Sequence, residues 1–149
     1  MKFWNAEKSL TLSRILTVAV LVTAVGLLFG IPAVTEWYDT FSGQEPIFRI
    51  LTPVLYLSDI LGIAAVWELL TMLRNIAAKK VFVEENARCL RIISWCCFAV
   101  SVIWCVLTFW RLLAFFVAFM SAFLGLVLRV VKNLLVMAIA LREENDFTI

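Results

Sequence analysis

Few side chains of this 149-residue chain could do chemistry, and the most informative are charged residues that interrupt or end long apolar runs. Asp59 and Glu68 lie within the run from Ile50 to Leu73, and Arg129 directly follows Leu128. An ionisable group inside a membrane is costly, so it indicates a functional site or a partner of opposite charge. The first question is therefore which partner each of these residues has.

Glu68 and Arg129 are predicted to lie at matching depth. Glu68 lies roughly five helical turns beyond Ile50, and Arg129 lies roughly five turns beyond Leu112, where the last helix is expected to begin. An ion pair between them would give each charge the partner that the lipid cannot supply. The alternative is that Glu68 alone extends its carboxylate to water at the membrane surface.

Asp59 is predicted nearer the middle of the membrane, level with three hydroxyl side chains: Thr23, Ser101 and Ser121. Four helices could thus place one polar layer around a single carboxylate. The functional interpretation is a proton- or cation-coupled site, and the simpler one, which we favour, is a neutral Asp that hydrogen-bonds across helices. Asp59 and Glu68 are nine residues apart and face opposite sides of a helix, so they are not a catalytic pair.

Other chemistry has little support in the sequence. The chain has no histidine, and its four cysteines form no C-x-x-C pair, so we expect buried thiols and no metal site. No phosphate-binding loop or nucleophile elbow is present. We therefore expect no enzyme, no catalytic residue and no cofactor.

The elements that must position these residues follow from composition. Hydrophobic residues make up 64% of the chain and charged residues 16%, with a mean hydropathy of +1.00. A soluble domain this short cannot bury so much apolar surface. Runs of about 20 apolar residues predict a single all-α, integral-membrane four-helix bundle (domain 1–149) with spans near 15–38, 48–74, 88–110 and 112–141, the last including a cytoplasmic helical extension.

Charge placement predicts the orientation of the spans. Eleven of the 13 Lys and Arg residues flank one side of the predicted membrane, whereas Arg49 and Arg111 lie on the other. By the positive-inside rule both termini are cytoplasmic. This is the pattern of a multi-pass membrane protein. The net charge of +2 does not favour direct nucleic-acid binding.

Small residues at helical spacing indicate where helices approach closely. Gly26 and Gly30 form a G-x-x-x-G motif, Ala114, Ala118 and Ala122 form a second ridge, and Ser58 with Gly62 forms a third. We expect these ridges to pack within the monomer, while a homo-oligomer remains an alternative.

Two stretches echo one another: residues 81–91, VFVEENARCLR, and residues 141–149, LREENDFTI. The first stretch places an aromatic residue, an acid-Asn pair and Leu-Arg at the entrance of the third helix, and the second ends in E-E-N-D-hydrophobic-T-hydrophobic. With these two motifs the chain resembles the bacterial four-pass membrane proteins grouped as domain of unknown function 2975. The resemblance covers essentially the whole chain, although Val83 stands where that family commonly has Thr or Ser. It implies a multi-pass protein of the bacterial cytoplasmic (inner) membrane. Its members are often encoded beside a small helix-turn-helix regulator, which implies a membrane partner or antagonist of a transcription factor.

The charged residues around these stretches form a candidate cytoplasmic interaction face: Lys79, Lys80, Glu84, Glu85, Asn86, Arg88, Arg91, Glu143, Glu144, Asn145 and Asp146. Acids in the first turn of a helix favour its dipole, but acids at a C-terminus do not. We therefore expect the terminal acids to meet either the basic loop, which we favour, or a partner protein.

Three functions fit these features. The leading hypothesis is an interaction protein that holds a helix-turn-helix regulator at the membrane. The alternative is a small oligomeric proton- or cation-coupled transporter or channel. An immunity or membrane-stress protein is not separable from the first by sequence.

Overall fold

The computed structural model describes residues 5–148 and places them in four helices: α1 (Ala6–Ser42), α2 (Phe48–Ala77), α3 (Glu84–Leu107) and α4 (Ala114–Phe147). Lys2, one of the eleven cations on the predicted cytoplasmic side, and Ile149, the last residue of the 141–149 stretch, lie outside the described residues. Each helix is long and apolar enough to cross a membrane. The protein is thus a multi-pass, all-α membrane protein, as its composition predicts.

The helices pack in chain order. α1 contacts α2, α2 contacts α3, and α3 contacts α4. Within residues 5–148 the backbone of α1 does not closely approach that of α3 or α4, and the backbone of α2 does not closely approach that of α4. The bundle is therefore open, with α3 between α2 and α4 and with α1 and α4 at its two edges.

One end of the bundle, formed by the α1–α2 loop and the α3–α4 turn, holds the main apolar cluster. Ile47, Leu51 and Val54 pack there with Leu107 and Ala114, and Tyr38 of α1 lies against them. We call this the opposite end, to distinguish it from the end that carries most of the cations. It is the level at which all four helices contribute to one core.

Asp39 ties α1 to α2 at the opposite end. Its two carboxylate oxygens accept the backbone N–H groups of Ile47, at 3.1 Å, and Phe48, at 3.0 Å. The first N–H groups of a helix have no partner inside the helix, so this side chain caps α2 from a neighbouring helix. Gly43, with φ of 60°, ends α1 and turns the chain towards α2.

Hydrogen bonds add two more links at the opposite end. Thr35 is fully buried, and its hydroxyl oxygen lies 3.3 Å from that of Thr52 on α2. The Arg111 guanidinium donates to the carbonyl of Glu45 at 2.6 Å, which joins the two loops. Polar contacts between α1 and α2 are thus concentrated at this end.

Candidate functional site at the cationic end

The cationic end comprises the loop 78–83, the first two turns of α3 and the C-terminal part of α4. Asn86 organises the loop from a buried position, with 2% of its surface exposed. Its amide nitrogen donates to the carbonyls of Lys80 and Val81, both at 2.9 Å, and its amide oxygen accepts from Asn75 at 2.9 Å. Asn75 also donates to Glu85 at 3.1 Å. Asn86 therefore supplies hydrogen-bond donors to two carbonyls of the loop and fixes its path.

The C-terminus of α2 closes in a Schellman motif. Lys79 adopts the left-handed conformation, with φ of 61°. The N–H of Lys80 donates to the Asn75 carbonyl at 2.8 Å, and that of Lys79 donates to Ile76 at 3.0 Å. These two bonds satisfy terminal carbonyls of the helix and fix the direction in which the loop leaves it. At the other side of the loop, Val83 precedes α3 without a side-chain cap.

Two grooves lie between this segment and α4. The first, of about 640 Å³, has charged side chains of both signs, since Glu84, Glu85, Arg88 and Arg91 of α3 face Glu143 of α4. The second, of about 580 Å³, has an apolar floor of Val81, Phe82, Ala138 and Leu141 with Lys79, Arg142 and Asn145 around it. The two motif-bearing stretches are therefore neighbours in space.

The terminal acids are only partly drawn into these grooves. Glu143 shares the first groove with Arg88 and Arg91, but Glu144 and Asp146 line neither groove and are exposed. Arg142 has its guanidinium carbon 5.8 Å from the centre of the Phe82 ring. An aromatic contact rather than an ionic clasp thus joins the two stretches at this point.

The expected pairing of Glu68 with Arg129 is not formed. The Arg129 guanidinium lies over the Trp95 ring, 5.6 Å from its centre, whereas Glu68 lies close to the Cys89 and Cys96 thiols. Equal depth in the membrane does not bring the two charges together, because α3 lies between α2, which carries Glu68, and α4, which carries Arg129.

The expected polar layer around Asp59 is also not assembled. Thr23 donates to Ala19 of its own helix, at 2.9 Å, while Ser101 and Ser121 donate across the α3–α4 contact. One carboxylate oxygen of Asp59, Oδ2, is buried without a hydrogen-bond partner among the described residues. The hydroxyls donate to backbone carbonyls instead, and the backbone of α1 does not closely approach that of α3 or α4 within the described residues.

Three serines instead join α3 to α4. Ser94 donates to the carbonyl of Gly125 at 2.9 Å, Ser101 to that of Ala118 at 2.8 Å, and Ser121 to that of Cys97 at 2.7 Å. A Cβ at Gly125 would lie 3.1 Å from the Cys97 Cβ. Sequence reasoning names Ser101 and Ser121 for another role and misses Ser94, whose spacing of seven from Ser101 is the available signal.

The other small-residue ridges differ in how they are used. Ala114 and Ala118 are buried, and Ser58 accepts the indole N–H of Trp104 on α3 at 2.9 Å, so these two ridges pack within the monomer as expected.

The G-x-x-x-G motif of α1 does not form the expected contact. A Cβ at Gly26, Gly30 or Gly62 would meet no atom of a packing neighbour among the described residues within 4 Å. Asn5 precedes α1, but its carbonyl rather than its side chain accepts the N–H groups of Lys8 and Ser9. The four cysteines are free, and the described residues contain no group of three or more potential metal ligands.

Comparison with known protein families identifies one family. The family model described as Protein of unknown function (DUF2975) matches residues 17–149. The chain belongs to this family. The match includes all of α2, α3 and α4, and thus both grooves. Searches of curated proteins and of solved structures gave no match.

Proposed function

We propose that this protein is a membrane-anchored binding protein that holds a small helix-turn-helix regulator at its cationic end. The observation that carries the proposal is the apolar groove between the α2–α3 loop and α4. Phe82 and Leu141 are 45% and 65% exposed there, in a groove that also contains the charged side chains Lys79 and Arg142. Exposed apolar surface outside the membrane is typical of a protein-binding site.

The chemistry of the groove defines its partner. Its floor is apolar and its rim carries the cations Lys79 and Arg142. An amphipathic helix with an apolar face and flanking acidic residues fits such a groove. A helix-turn-helix regulator consists largely of short amphipathic helices, and the family resemblance implies one as a genomic neighbour. Direct DNA binding by this chain has no support in its net charge of +2.

The length of α4 provides a binding surface beyond the membrane. The helix is 34 residues long. At about 1.5 Å per residue it spans about 51 Å, well over the roughly 30 Å of a bilayer core. The last turns therefore extend beyond the lipid, with Phe147 91% exposed. A rigid helix that projects from the membrane orders one wall of the groove before the partner arrives, which lowers the entropic cost of binding.

Copurification tests the proposal directly. The detergent-solubilised full chain is mixed with the small helix-turn-helix protein that the family resemblance implies as its genomic neighbour, and retention is measured for Phe82→Ser and Leu141→Ser. We expect each variant to weaken retention roughly tenfold, as for a central apolar contact. Matched controls at the opposite end, Phe109→Ser and Leu113→Ser, remove residues that are 88% and 74% exposed and should bind as the unaltered chain does. Equal binding by all four variants, or no binding by any, would contradict the proposal.

One observation favours a second candidate, a proton- or cation-coupled transporter. The buried Oδ2 of Asp59 has no hydrogen-bond partner among the described residues. Such a group within a membrane helix is by default a transport hypothesis. In liposomes, Asp59→Asn would then abolish proton flux without lowering thermal stability. Absence of flux from the unaltered chain would remove this candidate.

A further inference from the structure

A small cavity between α3 and α4 is lined, among the described residues, by three cationic side chains and by no acidic one. Arg91, Ser94 and Trp95 of α3 face Arg129 and Lys132 of α4 around a volume of about 50 Å³. The lining residues of α3 are three or four residues apart, as are those of α4, and each group thus lies on one face of its helix. The volume is well above the ~10–15 Å³ that a single water needs.

Side-chain contacts hold two of the lining residues, Arg129 and Ser94, in place. The Trp95 ring holds the Arg129 guanidinium, whose carbon lies 5.6 Å from the ring centre. This is a cation–π contact. Ser94 is 2% exposed, and its hydroxyl is already used in the bond to Gly125. The groups left to bind a ligand are therefore the three cations.

These cations repel one another, and the neighbouring acids do not neutralise all of them. Arg91 also borders the first groove, where Glu84, Glu85 and Glu143 lie, but Arg129 and Lys132 do not line that groove. Glu68 lies towards Cys89 and Cys96, on the side of α3 that faces α2. Like charges brought together at the edge of a low-dielectric region favour the binding of an anion.

The depth of the cavity indicates which anion. At about 1.5 Å per residue, Trp95 lies about 18 Å along α3 from Leu107, and Arg129 lies about 22 Å along α4 from Ala114. Lys132 is one turn further. In a bilayer core of about 30 Å, Lys132 lies near the boundary where lipid phosphates lie, and the long side chains of Arg91 and Arg129 can extend towards it. Trp95, which is 59% exposed, lies about 12 Å short of that boundary, on the hydrocarbon side of the cations.

We propose that this cavity binds the phosphodiester group of an anionic phospholipid, with Arg91, Arg129 and Lys132 as its donors. Basic pockets between membrane helices take such headgroups. The lipid tail would lie along the exposed apolar surface of α3 and α4 beside Trp95. A soluble phosphate offers the same oxygen atoms but no tail, which allows the two sources to be distinguished.

Thermal melts of the full chain, purified in detergent without added lipid, test the site. Phosphatidylglycerol, phosphatidylcholine and inorganic phosphate are titrated separately. We expect phosphatidylglycerol alone to raise the melting temperature, and Arg129→Gln and Lys132→Gln each to weaken its apparent affinity roughly fivefold. Arg74→Gln, which removes an exposed cation near the end of α2 that lines neither this cavity nor the two grooves, is the matched control and should leave that affinity unchanged.

Two outcomes would overturn the proposal. Unchanged phosphatidylglycerol affinity in both Arg129→Gln and Lys132→Gln would show that the lipid acts elsewhere. Equal stabilisation by inorganic phosphate would assign the cavity to a soluble anion instead of a lipid. If Arg129→Gln does not fold, Arg129→Lys keeps the charge and should retain most of the affinity, while Lys132→Gln still tests the cavity.

Discussion

The α3–α4 pair and the α1–α2 pair both carry small residues at helical spacing, but they use them differently. In α3 and α4, Gly125, Ala118 and Ser121 lie in the contact, and hydroxyls bond to carbonyls of the facing helix at three levels. In α1, a Cβ added at Gly26 or Gly30 would meet no packing neighbour among the described residues within 4 Å. A glycine therefore lies directly in the helix contact of α3 and α4, whereas the glycines of α1 do not lie in the contact with α2.

The α1–α2 contact depends on larger side chains. Thr17, Ile31 and Thr35 are buried residues of α1, and partly buried residues continue the same stripe: Leu10, Leu21, Ala24 and Leu28. Gly26 lies off this stripe and is exposed. A small residue permits close approach only if its face is the one that meets another helix.

The largest effect is expected from filling the α3–α4 contact. Gly125→Leu would force side-chain atoms into a space where even a Cβ lies 3.2 Å from the Ser94 carbonyl oxygen. We expect a loss of about 1–3 kcal/mol, because overpacked contacts must shift backbone or side chains. The measurement is a thermal melt in detergent, with Gly30→Leu as the matched control. Equal melting temperatures for the two variants would remove the distinction between the two pairs.

A smaller effect is expected at the cap that joins α1 to α2. Asp39→Ala leaves the N–H groups of Ile47 and Phe48 without their acceptor, which should cost about 1 kcal/mol. Asp39→Asn keeps one acceptor oxygen and should lose less. Glu36→Ala, on an exposed residue one turn earlier, is the control. A melt of Asp39→Ala that matches the control would contradict the capping role.

A single hydroxyl of the α3–α4 contact should contribute still less. Ser101→Ala removes the bond to the Ala118 carbonyl. A hydrogen bond between membrane helices is worth about 0.6 kcal/mol on average. Thr23→Val removes a hydroxyl that bonds only within α1 and should have a smaller effect. A larger loss from Thr23→Val than from Ser101→Ala in the same melt would reverse this assignment.

The smallest effect is expected for the coupling between Glu68 and Arg129, because α3 separates their helices. The stability changes of Glu68→Gln and Arg129→Gln should add in the double variant within about 0.5 kcal/mol. Arg129→Gln with Trp95→Leu is the contrasting pair and should be non-additive, since those side chains are in contact. Clear coupling of Glu68 with Arg129 would show that α2 and α4 meet directly.

The cationic end shows how much of a candidate site local sequence patterns can predict. The acid-Asn pair and the terminal acids point to the two stretches that line the grooves, and the short α3–α4 connection predicts that they are neighbours. The role of Asn86 is not predictable, because it depends on the left-handed turn at Lys79 and on Asn75 across the loop. An Asn is ordinarily exposed, so its type and position in a first helical turn give no sign of burial.

The sequence by itself determined that this protein is a membrane protein of four helices, since apolar runs of bilayer length have no other stable solution. Only the tertiary structure decided which faces meet. Every helix here is apolar around most of its circumference, so lipid-facing and helix-facing residues look alike in the sequence. Because of the order in which the helices pack, Arg129 contacts Trp95 rather than Glu68. Ser101 and Ser121 donate to backbone carbonyls rather than to Asp59. The glycines of α1 have no closely packed partner helix within the described part of the chain.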